Sequence, residues 1–133
     1  MSMLFVKLPV RDLPAARAFY QALGFRVEEN SSDDGEAAVV LGDEQVLSLQ
    51  TRERFAALLP GEPGDPSSAP TAVHALTAGG RAEVDDLVSR AIAAGGRPGA
   101  PAREEEASYS RSFADPDGNV WEVVWIDHVH VVN

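Results

Sequence analysis

The 133-residue chain contains no cysteine. Disulfides, thiolate metal sites and cysteine nucleophiles are thereby excluded. Long apolar runs are lacking too. No stretch approaches the roughly 20 residues of a membrane-spanning helix, and no secretory apolar core follows the first residues. A soluble, cytoplasmic protein without a membrane partner is the expectation. Basic residues are scarce, with 11 Lys and Arg against 21 Asp and Glu, for a net charge of -10. Such a chain repels phosphate backbones, which argues against nucleic acid, and it is permissive for a cationic ligand. No glycine-rich phosphate loop is present, since Gly79-Gly80 and Gly95-Gly96 read as helix boundaries. Nor is there a nucleophile with a paired base. Ser108, Ser110 and Ser112 alternate along one strand face, as ordinary sheet serines do.

What is present, 44% hydrophobic residues, suffices for one domain with a core. Met3 to Val10 predicts a strand, with Leu4, Val6, Leu8 and Val10 on one face and Phe5, Lys7 and Pro9 on the other. Pro9 suits an edge. Asp12 reads as a helix N-cap with Pro14 in the first turn. Ala16, Phe19, Tyr20 and Leu23 then recur at helical spacing until Gly24 ends the helix. Strands are expected at Phe25 to Glu29, Glu36 to Leu41 and Gln45 to Gln50, followed by a short helix from Arg52 to Leu59. A Pro-, Gly- and Ser-rich loop leads to Thr71 to Thr77, a strand. A second helix spans Arg81 to Ala94, with Val84, Leu87, Val88, Ala91 and Ile92 inward. Strand character is weak at Arg97 to Gly99, and Ala107 to Ala114 with Asn119 to Asp127 forms a closing hairpin. The order β-α-β-β-β thus occurs twice. The predicted modules are residues 1–58 and 71–127, joined by a loop at 59–70 and followed by a tail at 128–133.

The hairpin carries the densest signal. Asp115-Pro116-Asp117-Gly118 is a turn in which Pro116 presets φ, Gly118 takes a left-handed conformation and Asp115 caps. On the strand that follows, Trp121, Val123 and Trp125 alternate with Val120, Glu122, Val124 and Ile126. Glu122 is the one carboxylate in an apolar strand. Such a group takes a metal, a basic partner, hydrogen-bond donors or a proton. It is either a ligand or base in a pocket, or an acid satisfied at a strand edge.

The hairpin sequence Phe-x-Asp-Pro-Asp-Gly-Asn-x-x-Glu, together with Leu8-Pro9-Val10-Arg11-Asp12-Leu13 and Ala18-Phe19-Tyr20-Gln21-Ala22-Leu23-Gly24-Phe25, resembles the vicinal oxygen chelate superfamily. This group comprises glyoxalase I, bleomycin-resistance proteins and extradiol dioxygenases, and the resemblance is greatest to its predicted lactoylglutathione lyase branch. It implies an α+β fold in which two tandem β-α-β-β-β modules form a curved mixed sheet around a small-molecule cup. It also implies a homodimer. Metal-using relatives place ligands near the start of each module's first strand and on each module's last strand. Here those positions fall on Phe5, on Gln50 or Ser48, on Val73 or His74, and on Glu122. One register puts Val73 in the third slot with His74 on the opposite face; shifting by one residue restores His74 and gives a His74–Glu122 pair for a divalent ion (Ni, Zn, Mn or Fe). Without a metal, Glu122 is the catalytic candidate as a base. Phe5, Lys7, Gln50, Arg111 and Trp121 are substrate-binding candidates. Arg111 is either an anchor for an anionic substrate or a structural partner of Glu122. His128 and His130 share a face at strand spacing, as a metal pair or as a frayed tail or extra edge strand.

Two functions follow. One is a glyoxalase-like lyase or isomerase acting on a small carbonyl or conjugate substrate, with Glu122 central. The other is a metal-free protein that sequesters a bulky, cationic compound, as bleomycin-resistance proteins do.

Overall fold

The structure is a computed structural model that describes residues 2–127; the His128–His130 pair lies outside them. The chain divides into two compact units, residues 1–64 and 65–133.

In the first unit, strand β1 (Leu4–Val10) leads into helix α1 (Leu13–Ala22). Asp12 caps α1 by accepting from the Ala15 N–H at 3.0 Å, and the chain leaves the helix through Gly24 at φ 102°, a conformation that glycine adopts without strain. Strands β2 (Arg26–Glu28), β3 (Glu36–Gly42) and β4 (Gln45–Thr51) follow, then the short helix α2 (Arg52–Ala56). The sheet order is β1-β4-β3-β2, with β1 parallel to β4 and the other pairs antiparallel. Pro9 therefore sits on an edge strand, where its missing N–H costs no ladder bond. Ala16, Phe19, Tyr20 and Leu23 of the α1 segment are buried together with Leu47, Leu49, Val39 and Ala37 of the sheet. Phe19 and Tyr20 meet edge to face at 5.0 Å.

The second unit repeats this plan. Strand β5 (Val73–Thr77) precedes helix α3 (Arg81–Ala93), followed by β6 (Arg97–Pro98), β7 (Arg103–Glu105), β8 (Ser108–Ala114) and β9 (Val120–Ile126). The order is β5-β9-β8-β6, with β7 also on β8; β5 is parallel to β9, as β1 is to β4. The fold is α+β, with two open mixed sheets of four and five strands. Val84, Val88 and Ala91 of α3 are buried, as are Phe113, Trp121 and Val123 of the sheet. Ile92, expected inward, is 36% exposed; at one residue beyond Ala91 it has rotated off the buried stripe. Strand β7 was not anticipated, because its Arg-Glu-Glu composition is that of a solvated segment and β propensity does not mark it. Arg52 donates to the Pro63 and Gly64 carbonyls at 2.7 and 3.3 Å, which ties the loop after α2 to its own unit.

The hairpin turn has the predicted form. Gly118 has φ 95° and donates to the Asp115 carbonyl at 2.9 Å. The buried Asp115 carboxylate accepts from the N–H groups of Asp117 and Asn119 at 3.0 and 2.8 Å, and from Asn119 Nδ2 at 3.0 Å. A Cβ at Gly118 would meet the Ser67 backbone at 2.5 Å, so the loop at 66–67 packs directly on the turn.

Candidate functional site

Register decides which side chains can act together. In β9, Trp121 and Val123 face α3; Val120, Glu122 and Val124 occupy the opposite face. Across the parallel ladder, Val73 pairs with Val120, His74 with Trp121 and Ala75 with Glu122. Paired residues share a face, so Val73 holds the slot on Glu122's side and His74 lies on the other. His74 packs against the Trp121 ring at a centroid distance of 5.0 Å. Burial pushes the imidazole below its ordinary pKa, and the nearby Asp115 charge partly offsets this. His74 and Glu122 are not brought together.

On the antiparallel side, Ser112 pairs with Glu122 and Ser110 with Val124. Tyr109, Arg111 and Phe113 occupy the helix-facing side with Trp121 and Val123. Arg111 therefore forms no pair with Glu122; its guanidinium donates to Asp85 of α3 at 3.0 Å. Tyr109 donates to the same carboxylate oxygen at 2.6 Å. These two donors hold Asp85 below the usual carboxylate range, and Asp85 in turn pushes the Tyr109 phenol up. Trp121 is 2% exposed and serves the core rather than an open surface.

Glu122 lines a cleft of about 340 Å³ in the second unit. Val73, Pro101, Arg103 and Ser112 line it too, and the wall is mostly apolar. Its size falls within the range of small-molecule pockets. Among the described residues, the half-buried Glu122 carboxylate has no hydrogen bond or ion pair. One wall is the Gly99–Pro101 segment. The Gly99 N–H donates to the Ser112 carbonyl at 3.0 Å, and the Ala100 N–H donates to Ser112 Oγ at 3.0 Å. A Cβ at Gly99 would sit 2.2 Å from Ser112 Oγ and 2.9 Å from its backbone carbon, so only glycine permits this approach. Arg111 contributes to the cleft wall as well, although its guanidinium is turned to Asp85.

In the first unit, Phe5, Lys7 and Pro9 share a face with Val46, Ser48 and Gln50. Phe5 is 52% exposed and Lys7 is exposed. Gln50 is buried; its Nε2 donates to Glu36 at 2.7 Å and to Ser48 Oγ at 3.4 Å, while its Oε1 has no donor. The residues that sequence reasoning missed are Glu36, Gly99 and Arg103. Gly99, between Pro98 and Pro101, had read as a weak strand, and Arg103 precedes three glutamates that resemble a solvated run.

Relatives of this fold often use divalent metals. The side chains here do not fit one. Phe5 and Val73 are hydrocarbon at two of the four ligand positions. On its own face Glu122 is flanked by Val120, Val124 and Ala75, with the Ser112 hydroxyl side chain across the antiparallel ladder. Among the described residues, no three His, Asp or Glu side chains group as a metal site.

The strand plan recurs in solved structures. A hypothetical protein from S. aureus superposes with a TM-score of 0.80 at 22% identity, covering 94% of each chain. A glyoxalase/bleomycin resistance protein/dioxygenase family enzyme from Burkholderia phytofirmans PsJN gives 0.78 at 22% identity, over 95% of this chain and 99% of that one. A lactoylglutathione lyase from Agrobacterium tumefaciens gives 0.66 at 25% identity, over 93% and 92%. No curated protein matches the sequence. The family profile described as Glyoxalase/Bleomycin resistance protein/Dioxygenase superfamily matches residues 2–123, and the chain belongs to that superfamily.

Proposed function

We propose that the cleft of the second unit holds a small organic molecule and that Glu122 is the group that acts on it. The observation that carries this reading is the Glu122 carboxylate, half-buried and without a partner among the described residues, in a mostly apolar cleft. A carboxylate so placed keeps its lone pairs for the ligand. It is suited to removing a proton from the carbon beside a carbonyl and returning it to a neighbouring carbon, a lyase- or isomerase-type step on a small carbonyl or conjugate. Val73, Val120 and Pro101 give the cleft an apolar wall beside the reacting carbon. The Ser112 hydroxyl accepts from Ala100 and still has its own proton to donate to a developing oxyanion.

The same cleft supports a second reading, capture of a bulky cationic compound without turnover. The net charge of -10 favours it. Under either reading the protein acts as a cytoplasmic homodimer, as relatives often do. The deciding experiment screens small carbonyl compounds and organic cations by thermal shift and amide NMR, on the wild type and on Glu122→Gln. Turnover of a carbonyl compound that Glu122→Gln loses while still binding it supports the catalytic reading. Binding of cations alone, weakened in Glu122→Gln, supports capture. Turnover and binding both unchanged in Glu122→Gln would overturn both.

A further inference from the structure

The second unit has five arginines, and the structure divides them by partner. Arg81 donates to Glu104 at 3.1 Å and lies over the Trp125 ring at 4.9 Å. Arg90 pairs with Asp86 at 3.1 Å, and Arg111 with Asp85 at 3.0 Å. Arg97 and Arg103 have no side-chain hydrogen bond or ion pair among the described residues. Of these two, only Arg103 lines the cleft.

We propose that Arg103 is the specificity-determining residue of this cleft and that the ligand is a small anion, carrying a carboxylate or a phosphoryl group. This rests on the cleft being the organic-ligand site proposed above.

Three observations place Arg103 for that role. Its backbone is fixed, because β7 pairs with β8 and sets Arg103 opposite Ser110. The neighbouring Glu104 alternates to the other strand face, where it accepts from Arg81, so it does not compete for the Arg103 guanidinium. Finally, among the described residues the cleft holds one unpaired carboxylate, Glu122, and one unpaired guanidinium, Arg103, in an otherwise mostly apolar lining. A ligand that satisfies both presents an anionic group to Arg103 and a proton, on carbon or on a heteroatom, to Glu122. The planar guanidinium suits either oxyanion, since both accept two parallel N–H bonds. The cavity volume suits a ring or short chain between the two ends.

The test uses four probes of one shape: benzoate, phenylphosphonate, benzamide and benzamidine, titrated into ¹⁵N-labelled protein. Benzoate or phenylphosphonate should shift the amide resonances of Ser110, Ser112 and Ala114, with an affinity about tenfold above that of benzamide, as expected for one charge-assisted pair. Which of the two anions binds more tightly assigns the carboxylate or the phosphoryl class. Arg103→Ala should abolish the preference, and Arg103→Lys should keep part of it. The side chain is exposed and unpaired, so both variants should retain the wild-type melting temperature. Benzamide or benzamidine binding as well as the anions, or an anion preference that survives Arg103→Ala, would overturn the assignment of Arg103 and leave the cleft standing as a site. If none of the four probes moved these resonances, the cleft reading itself would fall, and Arg103 with it.

Discussion

In the first unit, the polar groups on the face that carries Phe5 and Lys7 are turned on one another: Gln50 donates to Glu36 and to Ser48. In the second, the corresponding open face carries a carboxylate with no partner among the described residues, beside a cleft whose one wall is held by Gly99 and Ser112. Strand order and pairing are otherwise alike, with first and last strands parallel in each sheet. The comparison separates architecture from chemistry. A duplicated plan repeats its hydrophobic alternation because both helices need a sheet face to cover. Nothing in that requirement fixes the opposite face, and there the two units diverge.

The largest contrast lies in the hairpin turns. Asp115 is buried and satisfies two backbone N–H groups and the Asn119 amide. Asp115→Ala should destabilise the protein by about 3 kcal/mol, since it strands buried donors that were bonded to a charged acceptor. The matching turn of the first unit places Asp43 in solvent, and Asp43→Ala should stay within about 0.5 kcal/mol of wild type. Chemical denaturation of both variants measures the difference. Equal effects would mean that the second turn is no more specified than the first.

Glycines give the next contrast. A Cβ at Gly99 meets Ser112 backbone as well as its hydroxyl, and backbone cannot move aside. A Cβ at Gly35 meets only the guanidinium end of Arg54, at 2.6 Å, and an exposed side chain can swing away. Gly99→Ala should cost about 1–3 kcal/mol and should blunt any ligand response of the cleft. Gly35→Ala should cost less than about 1 kcal/mol.

Much of this was legible in the sequence, and the boundary has a physical cause. Asp12, Pro14, Gly24, the buried pair Phe19 and Tyr20, and the Asp115–Gly118 turn are local signals: each acts within a few residues of its position, so the chain displays them directly. Alternation also separated Trp121 from Glu122. What alternation cannot supply is the offset between two strands distant in sequence. Whether His74 or Val73 shares the face of Glu122 depended on one residue of that offset, and the structure puts Val73 on it. The same gap hid the true partner of Arg111, since Asp85 reaches it from a helix 26 residues earlier. Arg103 and Gly99 escaped notice because their significance comes from the wall they form against β8, not from their neighbours in the chain.

A milder pair of substitutions addresses the carboxylates themselves. Gln50→Glu would set a second carboxylate within hydrogen-bonding distance of Glu36. Two acids this close cannot both ionise freely, so one takes up a proton. The variant should melt below wild type at pH 7.5, with the gap narrowing toward pH 5. Glu122→Gln removes a charge that has no partner among the described residues, so its melting temperature should be unchanged while turnover of a carbonyl ligand is lost. A large stability effect at Glu122 would reveal a partner and end the contrast between the two faces.

The smallest expected effect concerns His74, on the buried face of the second unit. Burial against Trp121 lowers its pKa below the ordinary value of 6.5. The unfolded chain therefore binds the proton more readily than the folded one, and stability rises with pH wherever it does so. The stability associated with neutral His74 is complete above pH 6.5 and declines as the pH falls below it, levelling off once the folded form is also protonated. Asp115 limits the loss by favouring the imidazolium. A His74→Leu variant keeps an apolar contact for Trp121 and has no proton to take up. Between pH 7.5 and pH 5.5 its melting temperature should fall less than that of wild type. No residue of the first unit faces this choice, because the other two histidines lie in the tail. The difference between the two melting curves, if present, therefore reports on the second unit alone. Parallel curves would mean that the imidazole reaches water freely, and the close packing of His74 on Trp121 would then have to be abandoned.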